Sequence, residues 1–225
     1  METHGRAGVA LGWLEGAGTI LDIGCAEGLF AHLATSSGWK VVGMDVDISS
    51  LSGARRQAPL ADLTLASGEA LPFSDAQFDR VIMLDVLEHV PSEERTLKEV
   101  TRVLRPQGRL IISVPHKGTF GFIDAQNSRM FAAGRRVLKG KNDHQHHRHY
   151  SMVELNRFLG PSFRISRLRY GGYLIFPVLG YVLMFTDALH MWKLSSALRR
   201  VEQVDFDRDR GDRSWHMMAE FIKEG

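Results

Sequence analysis

Short apolar runs recur along the first half of the chain, with helical patterns between them. The runs are Thr19–Ile23, Val41–Val46, Leu63–Ala66, Val81–Val86 and Leu110–Val114. Each is rich in Val, Ile and Leu without polar alternation, as in strands covered on both faces. Strands that alternate with helices make a parallel sheet with crossover connections. Phe30, Leu33 and Ala34 give the stretch after Gly28 a helical apolar face, and Gly38 is a natural stop. The clearest helix is expected after Pro91, with Glu93 and Glu94 in its first turn and Leu97, Val100, Val103 and Leu104 as its apolar positions. Pro106 and Gly108 then turn the chain into the strand near Arg109.

The second half is patterned differently. Residues 116–150 are polar and rich in glycine, with a histidine cluster from His144 to His149. Ser151 stands three residues before Glu154, a capping-box spacing that predicts a short helix. Phe163–Tyr170 alternates basic with apolar residues, as an outer strand does, and Trp215–Lys223 is expected to be a last strand. Between them lie Gly171-Gly172, an apolar run from Tyr173 to Phe185 and a charged stretch from Arg199 to Arg213.

Composition narrows the class. At 225 residues, with 44% hydrophobic and 24% charged positions, the chain has the make-up of one ordinary globular domain carrying an insertion. A net charge of +2, with basic residues scattered, gives no concentrated basic face or stacking platform, so no nucleic-acid partner is expected. Cys25 is the single cysteine, which excludes an internal disulfide and suits a reducing, cytoplasmic setting. Residues 1–18 lack the basic and apolar segments of a signal peptide. The run 173–185 is interrupted by Pro177 and Gly180 and falls short of the about 20 apolar residues that a membrane span needs.

The chemistry concentrates at one turn. Ile20-Leu21-Asp22-Ile23-Gly24-Cys25-Ala26-Glu27-Gly28 runs from a strand straight into a helix. Glycine there lets the backbone approach a ligand closely, and the helix N-terminus offers free N–H groups. Asp45 ends the second strand about twenty positions on, the spacing of an acid that accepts from the ribose hydroxyls of an adenosine.

From Thr19 to His116 the chain resembles the class I S-adenosylmethionine-dependent methyltransferases, above all the branch of ubiquinone-biosynthesis O-methyltransferases and small-molecule methylases. LDIGCAEG resembles the first motif, with Ala26 where many members carry glycine, and VVGMDVD resembles the ribose-binding motif. SGEALPFSDAQFDRVIMLDVLEHV and RVLRPQGRLIISVPH resemble those that follow. The resemblance implies an α/β fold with a Rossmann-like, mostly parallel seven-stranded sheet, helices on both faces and an apolar C-terminal insertion. It implies a helical segment over 1–18, a cofactor-binding core over 19–116, and acceptor-side loops, insertion and last strands of the same domain over 117–225. It implies S-adenosyl-L-methionine as cofactor, bound by Asp22, Gly24, Cys25 and Gly28 at the methionine end, Asp45 and Val46 at the ribose, Glu69 and Ala70 beside the adenine, and Leu84 and Asp85 near the amino group.

Methyl transfer from a sulfonium needs chiefly an aligned acceptor, and an oxygen acceptor also benefits from a base. Asp85, Glu88 and His89 follow the fourth strand at the sheet edge where α/β proteins place their sites. On a helical turn they share a face, and three roles are open: support for the cofactor pocket, a general base at His89 with Glu88, or a divalent metal site. His116 either contacts substrate or is an exposed strand end. The histidine run fits no structural zinc spacing and is expected to be a solvated loop, so no metal ligand is assigned. By resemblance, His149 and Tyr150 line the acceptor pocket.

The apolar run 173–185 is open to burial in the core, to lining a lipid-sized pocket, or to peripheral membrane contact with basic flanks. The expected reaction is methylation, preferentially at oxygen, of a small hydrophobic or lipid-like acceptor. An NAD-dependent dehydrogenase and a non-catalytic S-adenosylmethionine-binding scaffold are the alternatives. Neither the acceptor nor the oligomeric state is legible.

Overall fold

The computed structural model describes residues 5–118, 148–172 and 211–225, with residues 182, 186, 189, 191, 193, 194, 197, 198, 201, 205–207 and 209 between the last two stretches. The histidines 144–147 and, apart from Val182, the apolar run 173–185 lie outside the described residues. Two units divide the chain: residues 1–114, 152–168 and 218–225 form the larger, and residues 115–151 and 169–217 the smaller.

The apolar runs become strands whose side chains are largely buried on both sheet faces, except at residues 62–65, which are half-buried or exposed. β1 (Thr19–Ile23), β2 (Lys40–Asp45), β3 (Asp62–Leu65), β4 (Phe78–Leu84) and β5 (Leu104–Pro115) alternate with α2 (Leu29–Ser36), α3 (Ile48–Gln57) and α4 (Glu93–Val103). A first helix, α1 (Gly5–Gly12), precedes them. α5 (Met152–Leu159), β6 (Phe163–Gly171) and β7 (His216–Lys223) follow. The seven strands lie in the order β3-β2-β1-β4-β5-β7-β6. β1 pairs in parallel with β2 and β4, β2 with β3, and β4 with β5. The Rossmann-like α/β sheet is therefore as expected, and its order reverses beside β1, where such sheets bind ligands outside the strand ends.

Helix ends follow local chemistry. Ser92 caps α4, its hydroxyl accepting from Arg95 N, while Leu97, Val100 and Val103 are buried. At the other end the Lys223 ammonium donates to Thr101 O and Leu104 O, a cation on the carbonyls that close a helix.

Three boundaries differ from the sequence pattern. β4 begins at Phe78, which is buried and pairs with Leu104 across a register shift, because Asp79 and Arg80 direct their polar ends into ion pairs and hydrogen bonds. β5 runs from Leu104 through Pro106 and Gly108, with Gln107 at φ +61, so the expected turn is an irregularity inside a strand. β4 stops at Leu84 because Asp85 has φ +56 and swings the chain into a single 3-10 turn, Leu87–His89.

A row of charge crosses the larger unit. Arg80 on β4, Arg109 on β5 and Arg167 on β6 surround Glu220 of β7, which is fully buried. Arg109 donates to the Glu220 carboxylate at 2.8 Å. Arg167 pairs with the Glu15 carboxylate, and Arg80 donates to Glu15 O at 3.2 Å. The segment leaving α1 is thereby tied to these strands.

Candidate cofactor and active site

The turn after β1 is set by backbone geometry. Gly24 N and Cys25 N both donate to Met44 O, and Gly28 N donates to Cys25 O. Gly24 has φ +69, and a Cβ there would stand 2.5 Å from Val86 Cγ2. Gly28 has φ +84, and a Cβ would meet Ala54 Cα of α3 at 3.0 Å. Both positions require glycine for space as well as for backbone angle. The chain then enters α2 with its first N–H groups at the turn.

Asp45 ties this turn to the end of β2. Its two carboxylate oxygens accept from Ala26 N and Asp47 N, each at 2.9 Å. Each oxygen keeps a second lone pair for a ligand hydroxyl. Beside it, the Val46 side chain is 72% exposed, an apolar surface suited to a planar base. Ala66 N donates to Asp45 O, so the loop carrying Glu69 and Ala70 starts from the same strand end. Glu99 and Arg102 of α4 hold the rest of that loop through Leu71 N, Leu71 O and Phe73 O. Glu69 is half-buried and Ala70 exposed.

Asp22 is of another kind. It is buried near the end of β1, and its Oδ2 has no hydrogen-bond partner. Burial, and secondarily the charge of Asp45, push its carboxyl up to about 8. A carboxyl in that position meets a cationic ligand group by giving up its proton. The same burial, with Asp22 and Asp45 nearby, pushes the Cys25 thiol up to about 12, so Cys25 packs rather than reacts.

A second group stands at the end of β4. Ser113 of β5 donates to Asp85 Oδ1 at 2.5 Å, and Arg6 of α1 pairs with Asp85 Oδ2 at 2.6 Å. Glu88 is buried, with its Oε2 unpartnered, and its carboxyl is held well above the usual range by burial and then by the charge of Asp85. His89, one residue on, is exposed. The expected helical face shared by Asp85, Glu88 and His89 is thus absent: a 3-10 turn has three residues per turn, so Glu88 and His89 face different surroundings. The divalent-metal reading of this trio is not supported, and among the described residues no group of three or more His, Cys, Asp or Glu is placed to hold an ion. The two groups abut, since Gly24 lies directly under Val86.

Gly24, Cys25 and Gly28 are therefore brought together with Asp45, while Leu84 and Asp85 stand at the neighbouring strand end. Arg6 and Ser113 were not foreseen. Arg6 lies outside every motif, Ser113 is an inconspicuous polar position inside the last one, and only the fold carries both to Asp85.

In the smaller unit, His116 is 4% exposed and not the solvent-facing strand end that was one of its readings. Its Nδ1 lies 3.1 Å from Ser214 O, its N–H donates to Trp215 O, and its ring is 4.8 Å from that of Tyr170. Tyr150, also buried, bridges alongside it, with Tyr150 N donating to Pro115 O. His149 is half-buried next to it. His216, buried with its ring 5.9 Å from Phe206, was likewise missed, because the sequence marks it only as a strand residue. Among the described residues no helix is long and apolar enough to cross a membrane.

Comparison with known proteins places these observations. Residues 21–112 match the family described as "Methyltransferase domain". A protein of Mycolicibacterium smegmatis named as an S-adenosylmethionine-dependent methyltransferase is 34% identical over 101 residues, 45% of this chain and 39% of that one. The match thus spans about two fifths of that relative's length. The ubiquinone biosynthesis O-methyltransferase of Idiomarina loihiensis is 28% identical over 181 residues, covering 75% of this chain and 70% of that protein. A crystal structure described as a methyltransferase from Bacillus halodurans has the same fold, with a TM-score of 0.63, 18% identity and coverage of 96% and 97% of the two chains.

Proposed function

We propose, from the premise that residues 21–112 are a class I S-adenosylmethionine-dependent methyltransferase domain, that this chain methylates an oxygen of a small, apolar acceptor. The observation that carries the reading is the pair of unlike carboxylates at the turn: Asp45, hydrogen-bonded and set for a ribose, and Asp22, buried and unpartnered beside it. The residues fit the cofactor: glycine at 24 and 28 lets the turn close against Val86 and α3, and each Asp45 oxygen keeps a lone pair for a ribose hydroxyl. When bound, the cofactor supplies a methyl group already activated on sulfonium. What remains for the chain is to hold, to orient and to exclude water.

Asp45 takes the ribose hydroxyls, Val46 and Ala70 flank the base, and Glu69 stands beside them. Asp22, Leu84 and Asp85 face the methionine end. Glu88 keeps its proton and supports the turn. The proton of the acceptor goes to an imidazole, His89 or His149. An apolar acceptor accords with the run 173–185 in the acceptor-side part, and an oxygen acceptor with the name of the Idiomarina relative. The same run is the segment proposed for peripheral contact with a membrane from which a lipid-like acceptor would come.

The test incubates the chain and S-adenosylmethionine with fractionated small molecules and lipids and looks for a mass gain of one methylene. S-adenosylhomocysteine binding without any methylated product would favour the scaffold reading, and tighter binding of NADH would remove the methyltransferase. His89→Ala is expected to keep S-adenosylhomocysteine affinity and lower turnover about a hundredfold, in keeping with the loss of a general base; unchanged turnover would move that role to His149.

A further inference from the structure

The sheet ends at β3, and this edge carries a feature that the cofactor site does not use. A groove of about 470 Å³ runs between α3 and β3, lined by Ile48, Leu51, Arg55, Arg56, Leu63 and Leu65, with Ser52. Leu51 is the buried floor, while Ile48 is 64% and Leu65 55% exposed. Leu60, two residues before β3, is 77% exposed. Large aliphatic side chains scattered singly over a surface need no explanation, but a cluster along a sheet edge does. Both charges that line the groove are positive. Arg55 and Arg56 are exposed on the last turn of α3, and neither has an ion-pair partner among the described residues.

We propose that this edge docks an extended segment of a partner protein, apolar along one side and carrying carboxylates. A terminal strand offers its ladder N–H and C=O groups to an added strand, and the groove beside it takes alternate side chains. Leu63 and Leu65 lie two apart on β3 and so face the same way, toward α3. An added strand would present its own alternate apolar residues to them. Arg55 and Arg56 select acidic neighbours and discriminate against basic ones. A lipid surface would meet the same arginines and leucines but has no backbone to pair with the strand, so the peptide is favoured.

The test pans the full chain against a library of random displayed peptides and measures the enriched sequences by fluorescence polarisation. Peptides that mix Asp or Glu with β-branched apolar residues are expected. The double variant Arg55→Glu, Arg56→Glu should weaken them about tenfold, as should Leu65→Asp, with melting temperature and S-adenosylhomocysteine affinity unchanged. Enrichment of basic or charge-indifferent peptides, or binding untouched by the double variant, would overturn the proposal. So would an empty selection, or the same substitutions abolishing binding to phosphatidylcholine–phosphatidylglycerol vesicles, or self-association in sedimentation velocity, in place of peptide binding.

Discussion

The turn after β1 and the edge after β4 abut at Gly24 and Val86, yet they are built on opposite principles. The turn is held by neutral backbone donors on Asp45 and by glycines with no room for a Cβ. The edge is held by charge: Arg6 and Ser113 on Asp85, with the buried acid of Glu88 behind. A site set by backbone geometry is specific and unforgiving, whereas one set by charge adjusts to ligand and pH. On the proposed function, the first selects the cofactor and the second leaves room for different acceptors on one scaffold.

Substitutions that separate the two principles test this contrast. Asp45→Ala should have the largest effect, because it removes the proposed ribose acceptor together with the carboxylate that joins Ala26 N and Asp47 N. At about 1.5–3 kcal/mol for each hydrogen bond to a charged group, losing two ribose contacts should lower S-adenosylhomocysteine affinity by calorimetry at least about a hundredfold. A loss below tenfold would mean that the turn holds its shape without the carboxylate.

Gly24→Ala comes next. Its Cβ meets a β-branched side chain at a positive φ, strain of order 1–3 kcal/mol, so affinity should drop about tenfold to a hundredfold. The second substitution Val86→Ala should recover part of it, and no recovery would locate the strain in the backbone angle alone.

Asp22 links the turn to pH. Its folded carboxyl titrates at about 8 against an ordinary value of 3.8, so the folded state holds a proton that the unfolded chain releases. The stability it contributes is complete below about pH 4 and is lost as pH rises to about 8. A cationic ligand group prefers the ionised form, so cofactor affinity should rise over the upper part of that range. Asp22→Asn should flatten both profiles, and an unchanged slope in thermal melting would assign the pH dependence elsewhere.

Arg6→Gln should be mildest, weakening S-adenosylhomocysteine by about threefold, as expected for a half-exposed ion pair worth less than about 1 kcal/mol. If it costs as much as Asp45→Ala, the two regions are not different in kind.

The turn was legible because its determinants are local. Gly24, Gly28 and the acids that end β1 and β2 act within a few residues of their position, and buried parallel strands advertise themselves as unbroken apolar runs. The edge was legible only in part. A 3-10 turn and an α-helical turn share the same residues, and the positive φ of Asp85 that decides between them leaves no mark in the sequence. Polar β4 residues hid that strand's start, since Asp79 and Arg80 are satisfied by partners far along the chain, Thr19, Glu15 and Arg105 among them. Ser113 and His116 are single polar residues in or beside a buried strand, and only their neighbours give them meaning.

The charge row on β4, β5, β7 and β6 also has a consequence for the order in which the molecule assembles. Arg167 grips Glu15 across 152 positions, and Arg109 reaches Glu220 across 111. α1 precedes every strand of the sheet, and one of the side chains that fasten its tail, Arg167, comes from β6. Its anchoring is complete only once β6 has joined the sheet, since distant pairings form late. Arg6, carried on α1, is on this account a late arrival at Asp85. Hydrogen-exchange labelling during refolding should see the amides of α1 become protected after those of β1 and β4, so that the charged edge is finished after the turn beside it.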